Sequence, residues 1–198
     1  MPDITTRDKF QLRGGVSKFD TREADGKRYI EGYFAVFNSP YQLWDGAEEI
    51  IKPGAFDNSI SGDVRALINH DTTLVLGRTV AHTLELREDE HGLWGKIEIN
   101  PDDTDAMNLY ARVQRGDVSQ CSFGFEIKSE TFVDLGSGNY RWEINEIDPL
   151  YEVSPCTFPA YEATSIAARQ ADLENIKARD AEAWRARMNK KLEEIKNA

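Results

Sequence analysis

The side chains best suited to acid–base chemistry in this sequence are its histidines, and the whole chain has only three of them: His70, His82 and His91. Imidazole exchanges protons near neutral pH, so each could act as a general base. The setting of His70 is distinctive, because it follows the apolar run 66–68 and is flanked by Asn69 and Asp71. This pattern predicts a strand that presents an imidazole at its end. Taken alone, such a histidine is more often a hydrogen-bonded structural residue than a catalytic one.

A nucleophile for such a base is offered by Ser122, in the strand-like segment 118–127. A serine hydroxyl is a weak nucleophile at neutral pH and needs a base within hydrogen-bond reach, which in turn needs an acceptor to orient it. His70 and Ser122 lie 122 − 70 = 52 residues apart, a separation that adjacent strands of a β fold can bridge. Cys121 is the rival nucleophile, but neighbours on a strand point to opposite faces, so only one of the two can face His70.

The elements that must position these residues are mainly strands. Aromatic, β-branched or alternating runs predict strands at 29–37, 83–87, 93–99, 118–127, 140–144 and 150–159. Residues 83–99 form a hairpin in this prediction, and Pro155 weakens the last strand to an edge or a bulge. The acid-rich segment 41–51 is predicted to be a loop, and residues 1–27 an arm or an edge strand.

Two helices are predicted. Ala106, Leu109, Tyr110 and Val113 recur at helical spacing, with Asn100 or Thr104 as the cap and Gly116 near the end. A long amphipathic helix covers 165–198, and its apolar face favours dimerisation or attachment to a scaffold protein over packing on its own domain.

Composition excludes several classes of function. The net charge of −11 repels phosphate backbones, so nucleic acid is not an expected partner. No apolar run reaches the roughly 18–20 residues of a membrane span. Cys121 and Cys156 are expected to be reduced, in a cytosolic protein. The histidines and Asp71 lack the spacing of a metal motif, so neither metal nor cofactor is expected, and Asp71 is expected to hydrogen-bond its own turn.

Four short segments occur in an order that resembles a known family: Pro53-Gly54-Ala55-Phe56, Asn69-His70-Asp71, Ser122-Phe123-Gly124-Phe125 and Glu152-Val153-Ser154. They resemble the prohead maturation proteases of tailed phages, which are related to herpesvirus assemblin. The resemblance covers roughly residues 29–165. It implies an α+β fold that is mainly β, with an assemblin-like closed β-barrel flanked by helices. The expected division is an N-terminal arm at 1–27, a serine protease domain at 28–164 and a helical extension at 165–198.

The resemblance also implies a function and a site. The expected function is a serine endopeptidase that acts in the procapsid within the host cytoplasm. It would cut scaffold, or the scaffolding part of the major capsid protein, and itself. His70 would be the base, Ser122 the nucleophile and Glu152 the third member, with Glu146 or Asp148 as substitutes. Dimerisation, as in assemblin, would involve the C-terminal helix.

Some points stay open at this stage. Assemblin-like enzymes support the oxyanion with consecutive arginines, which are missing here around residues 158–161; backbone N–H groups near Gly124, or Arg78, are the alternatives. The rival functions are a non-catalytic scaffold or capsid-assembly protein with the same fold, and an unrelated β-barrel binding module.

Overall fold

A computed structural model of the chain describes residues 10–16, 19–158 and 163–196. The chain divides into two compact units, Met1–Tyr161 and Glu162–Ala198. The strands of the described residues and one helix belong to the first unit, and a long helix belongs to the second. The chain is therefore mixed α and β, mostly sheet with two helices, as the sequence predicts.

The described residues form eleven strands and two helices. The strands are β1 Phe10–Val16, β2 Asp20–Ala24, β3 Lys27–Val36, β4 Tyr41–Trp44, β5 Ala47–Ile51, β6 Arg65–Ile68, β7 Asp71–Arg78, β8 Leu84–Glu88, β9 Gly92–Ile99, β10 Gln120–Gly136 and β11 Asn139–Cys156. The helices are α1 Thr104–Arg115 and α2 Ala163–Lys196, and a single 3₁₀ turn covers Thr79–Ala81.

Two sheets make up the first unit. The larger has the order β1-β10-β11-β5-β4, with β6 also paired to β11 and β7 to β6. The smaller has the order β2-β3-β9-β8. Strand β11 is long enough to have two parallel neighbours on one side, β5 along its first half and β6 along its second. This arrangement brings the end of β6, and so the segment that carries His70, beside the end of β11.

The predicted closed barrel was wrong. Closure requires the first and last strands of a sheet to pair with each other. Within the described residues the larger sheet ends at β1 and β4 and, on the branch through β6, at β7, and the smaller sheet ends at β2 and β8. The structure is thus a pair of open sheets. The N-terminal segment was predicted as an arm or an edge strand, and β1 is an edge strand of the larger sheet.

The predicted loop at 41–51 was also wrong, because it is the hairpin of β4 and β5, turning at Gly46 with φ +81°. Two of its three acidic side chains pair with arginines from other strands. Glu48 accepts from Nε of Arg141 at 2.6 Å, and Glu49 accepts from Nε of Arg13 at 2.5 Å. A buried charged residue is tolerated in a strand when the fold supplies an oppositely charged partner.

The predicted α1 is confirmed, and its four apolar residues are all buried. The cap differs from the prediction: it is Asp103, whose carboxylate accepts from the backbone N–H groups of Asp105 and Ala106. The helix ends at Gly116, with φ +87°, which a glycine adopts without strain.

The second unit confirms the long C-terminal helix. Along α2 the side chains of Trp184, Met188 and Leu192 are exposed by 58%, 39% and 51%; Ile195, which the prediction placed on the same face, has a side chain outside the described set. No helix in the part of the chain that is described has the length and apolar character needed to cross a membrane.

Candidate active site

The tight turn between β6 and β7 carries His70. Ile68 and Asp71 pair across it, and the two residues between them have positive φ, +51° for Asn69 and +62° for His70. Positive φ at both central positions is the geometry of the two-residue turns that match strand twist. The Asp71 carboxylate accepts from the backbone N–H of Thr73 at 2.9 Å and from its hydroxyl at 2.6 Å, as predicted. These bonds hold the pKa of Asp71 below its usual range, so it stays ionised within its own turn.

Glu152 lies against the imidazole. Nδ1 of His70 is 2.7 Å from Oε1 of Glu152, and the two side chains are 20% and 8% exposed. An ionised carboxylate can only accept, so Nδ1 carries the proton and donates it. In the neutral ring this leaves a lone pair on Nε2, the atom a general base needs.

Ser154 forms hydrogen bonds with both His70 and Glu152. Its hydroxyl donates to Oε2 of Glu152 at 2.5 Å and accepts from the backbone N–H of His70 at 3.3 Å. It is fully buried, and it uses its single proton on the carboxylate. Both oxygens of Glu152 therefore have partners, which fixes the orientation of the carboxylate.

Ser122 lies directly opposite Ser154 in the pairing of β10 with β11, and it is fully buried. Its hydroxyl donates to the backbone carbonyl of Arg13 on β1 at 2.8 Å. Nε2 of His70 is buried and, in the described structure, has no hydrogen-bond partner. Ser122 and His70 are thus both neighbours of Ser154, but the serine proton points to β1 and not to the imidazole.

Gly124 makes room for the carboxylate. It lies opposite Glu152 in the strand pairing, and a Cβ at position 124 would lie 2.8 Å from Oε1 of Glu152 and 2.7 Å from the ring of Phe10. Real Cβ atoms do not approach other atoms so closely. The glycine two residues after Ser122 is therefore needed for the carboxylate to reach its place beside His70.

The segment 53–56 packs against β10, the strand that carries Ser122. Ala55 and Phe56 are fully buried, and the ring of Phe56 packs edge-on against Phe123, with 5.8 Å between centroids. The carboxylate of Glu88 accepts from the backbone N–H groups of Gly54 and Phe56. The role of this segment is to position Phe123, the neighbour of Ser122.

The other predicted candidates lie elsewhere. The alternatives to Glu152, Glu146 and Asp148, both accept from Lys128, at 3.0 and 3.1 Å. Arg78, a candidate for the oxyanion, donates to Asp63 at 2.7 and 2.6 Å. Glu146, Asp148 and Arg78 are therefore all paired with residues other than His70.

The cysteines are both buried and reduced. Cys121 bonds to the carbonyls of Tyr33 and Phe34, on the face of β10 opposite to Ser122. Burial, followed by the charge of Glu152, raises the pKa of the Cys156 thiol to about 12. Cys156 is thus a protonated core residue. Across the residues that the structure describes, no group of three or more His, Cys, Asp or Glu side chains has the geometry of a metal site.

Sequence reasoning missed two residues of this constellation. Ser154 stands in the segment Glu152-Val153-Ser154, which gives it no role of its own, and Gly124 is predicted only as part of a motif and as a marker of nearby backbone N–H groups. The period-2 alternation of strands was the available signal, since residues 152 and 154 must share a face. A hydroxyl, an imidazole and a carboxylate gathered on such a face are the groups that acyl transfer requires.

Comparison with known proteins gives this constellation a family. The sequence model described as caudovirus prohead serine protease matches residues 17–179. The prohead protease of Enterobacteria phage HK97 is 36% identical over 167 residues, which are 81% of this chain and 68% of that protein. The capsid assembly protease gp21 of bacteriophage T4 has a similar fold: its TM-score is 0.50 at 11% identity, over 76% of this chain and 98% of that one. The chain therefore belongs to the caudovirus prohead serine proteases, which take part in capsid maturation.

Proposed function

We propose that this protein is a serine endopeptidase in which Ser122 is the nucleophile, His70 the general base and then the general acid, and Glu152 the acceptor that orients His70. One observation carries the proposal. Nδ1 of His70 is bound to Glu152 at 2.7 Å, while Nε2 has no hydrogen-bond partner among the described residues. The backbone N–H of His70 donates to Ser154, which lies opposite Ser122 in the pairing of β11 with β10. The histidine is thus held as a base with one open position.

The mechanism follows from these positions. Rotation of the Ser122 side chain about its Cα–Cβ bond turns the hydroxyl away from Arg13 and towards Nε2. As Oγ attacks the substrate carbonyl, Nε2 takes its proton, and the resulting imidazolium is stabilised by Glu152. Nε2 then gives the proton to the leaving amine, and water hydrolyses the acyl-enzyme by the reverse path. Glu152 keeps its negative charge throughout, aided by the hydroxyl of Ser154.

The proposed substrates are those of capsid maturation. A prohead protease acts within the procapsid, so its targets are the proteins enclosed there: the scaffold or the scaffolding part of the major capsid protein, and the protease itself. The net charge of −11 favours basic segments of such partners. In this proposal the protease fold consists of two open sheets and not of a closed, assemblin-like barrel.

Self-association through α2 is the proposed partner contact. Trp184, Met188 and Leu192 recur every four residues and are exposed on one helix. Side chains of this size and spacing favour helix pairing in a homodimer or a larger assembly. Analytical ultracentrifugation of the wild type and of a variant with all three changed to serine tests this contact, and equal sedimentation of the two proteins would contradict it.

The test of the function is coexpression with the cognate major capsid protein, followed by intact-mass spectrometry. The wild type is expected to shorten the capsid protein or itself, and Ser122→Ala to leave both intact. Ser119→Ala is the matched control, because Ser119 is exposed three residues earlier in the chain. If assembled procapsids contain only uncut chains with the wild type, the protein is a scaffold or assembly factor, not a protease.

A further inference from the structure

We infer that Glu49 forms the base of a pocket that selects a positively charged side chain, arginine or lysine, in the residue whose carbonyl group is attacked. This inference rests on the proposed function and goes beyond it by assigning the substrate chemistry. In the structure the pocket is filled by the chain's own Arg13, on the edge strand β1.

The guanidinium of Arg13 fits closely against Glu49 and its aromatic neighbours. Arg13 and Glu49 are 3% and 1% exposed, and they form a two-pronged ion pair, Nε to Oε1 at 2.5 Å and Nη2 to Oε2 at 3.2 Å. The guanidinium carbon lies 5.6 Å from the ring centre of Tyr41 and 5.9 Å from that of Phe125. A planar cation between aromatic rings, with a carboxylate on its fork, is bound by charge, shape and hydrogen bonds at once.

The backbone of Arg13 connects this pocket to Ser122. The carbonyl oxygen of Arg13 is the acceptor of the Ser122 hydroxyl, at 2.8 Å. The carbon that Ser122 would attack is bonded to that oxygen. The same residue therefore has its carbonyl at Ser122 and its side chain on Glu49, which is the placement of a substrate residue immediately before the bond that is cut.

The walls of the pocket lie within the family-matched region, and its occupant lies outside it. Glu49, Tyr41 and Phe125 all fall within residues 17–179, which match the protease family, whereas Arg13 and the rest of β1 precede that range. Strand β1 pairs antiparallel with β10, as an extended peptide does when it adds to a sheet edge. The occupant thus lies outside the family-matched region that supplies the pocket.

Burial of the Glu49 carboxylate has a cost in stability. A carboxylate that is 1% exposed is strongly destabilising without a cation, and a buried ion pair is often no better for stability than apolar side chains. Glu49 also borders a cavity of about 340 Å³ whose lining includes Arg13, Gly14 and Tyr41. A buried acid that borders such an open pocket is placed to accept a basic side chain.

The chemical step at this position is hydrolysis. Oγ of Ser122 forms a bond to the carbonyl carbon of the basic residue and its proton moves to Nε2 of His70. The C–N bond to the next residue breaks, and the proton passes to the departing amine. Water then attacks the ester through the same imidazole, releasing the new carboxyl end and restoring Ser122. In this chain the corresponding bond is Arg13–Gly14.

The test is a map of the cut sites. The full chain is coexpressed with the cognate major capsid protein as wild type, Glu49→Gln and Glu48→Gln, and the new termini of both proteins are sequenced by mass spectrometry. With the wild type, each cut is expected after arginine or lysine. Glu49→Gln is expected to slow these cuts about 10- to 100-fold, because a charge-assisted pair is lost. Glu48→Gln, whose side chain is on the neighbouring residue and pairs with Arg141, is expected to retain them.

A second variant covers a failure of Glu49→Gln to fold. Arg13→Lys keeps a cation on the buried Glu49 and leaves the substrate in trans unchanged, so cuts of the capsid protein after basic residues are expected to persist. Cuts after acidic or neutral residues, or the same cuts at the same rate with Glu49→Gln, overturn the inference while the protease stands. Absence of any cut by the wild type overturns the proposed function and the inference together.

Discussion

Nδ1 of His70 lies 2.7 Å from Oε1 of Glu152, although the two residues are 82 positions apart in the sequence. The contact exists because β11 is long enough to pair with β6 as well as with β5. The turn that follows β6 therefore places the His70 ring beside the end of β11. The orientation of the imidazole is thus determined by strand pairing, and the proposed role of Glu152 can be tested by changing the carboxylate without changing its shape.

Glu152→Gln is expected to lower the rate of peptide cleavage about 10³- to 10⁴-fold with little change in fold. An amide offers no negative charge to the imidazolium, and its NH₂ group can turn the ring to the wrong tautomer. The measurement is the turnover of a cut site mapped with the wild type, together with the melting temperature. Glu146→Gln is the control, because Glu146 pairs with Lys128. Equal losses in both variants would contradict the role of Glu152.

Gly124→Ala is expected to reduce both stability and activity. The added Cβ would meet Oε1 of Glu152 and the ring of Phe10 at less than 3 Å, and such overpacking costs about 1–3 kcal/mol. The double variant Phe10→Ala with Gly124→Ala separates the two contacts, since it relieves the ring and not the carboxylate. Its melting temperature is expected to recover, and its cleavage rate is not. Recovery of both would show that Gly124 serves packing alone.

The residues of the site were predictable from the sequence to different degrees. His70, Ser122 and Glu152 stand in short motifs in a fixed order, and such motifs can be recognised without knowing the fold. Most of the strands, and α1, were predictable from periodicity. The hydrogen bonds of Ser154 were not, because they depend on the pairing of β6 with the last part of β11, which brings His70 to Ser154.

Glu49 shows most clearly what could not be predicted from the sequence. Its segment is acidic, and an acidic segment predicts a loop unless the cations that pair with it are known. Those cations are Arg13 and Arg141, which lie 36 and 93 residues from their partners. Likewise, open sheets and a closed barrel share the same alternation along each strand and differ only in whether the edge strands meet.

Ser154→Ala is expected to destabilise the protein by about 1–3 kcal/mol and to slow cleavage about tenfold or more. The change leaves Oε2 of Glu152 and the backbone N–H of His70 without their buried partner, and unsatisfied buried groups carry that cost. Chemical unfolding and cleavage rates measure the two effects. Ser129→Ala, at an exposed site on β10, is the control. A variant that cleaves at the wild-type rate would assign Ser154 to packing only.

The cysteines are expected to be dispensable for cleavage and resistant to alkylation. The pKa of Cys156 is raised from its ordinary value of 9.0 to about 12, by burial and then by the charge of Glu152, so the folded protein keeps the thiol protonated at pH 8. Iodoacetamide is therefore expected to modify Cys156 only after unfolding, with peptide mass spectrometry as the readout. Cys121→Ala is expected to retain activity, and its inactivity in a folded protein would move the nucleophile away from Ser122.

The same pKa predicts a dependence of stability on pH. Between about pH 9 and 12 the unfolded chain loses the Cys156 proton while the folded chain keeps it. The unfolded state then binds fewer protons, so the free energy of unfolding falls as the pH rises through this range. Urea unfolding at pH 8 and pH 10 measures the loss. Cys156→Ala removes this group, so its stability is expected to fall less between the two pH values, and an identical fall would contradict the assignment to Cys156.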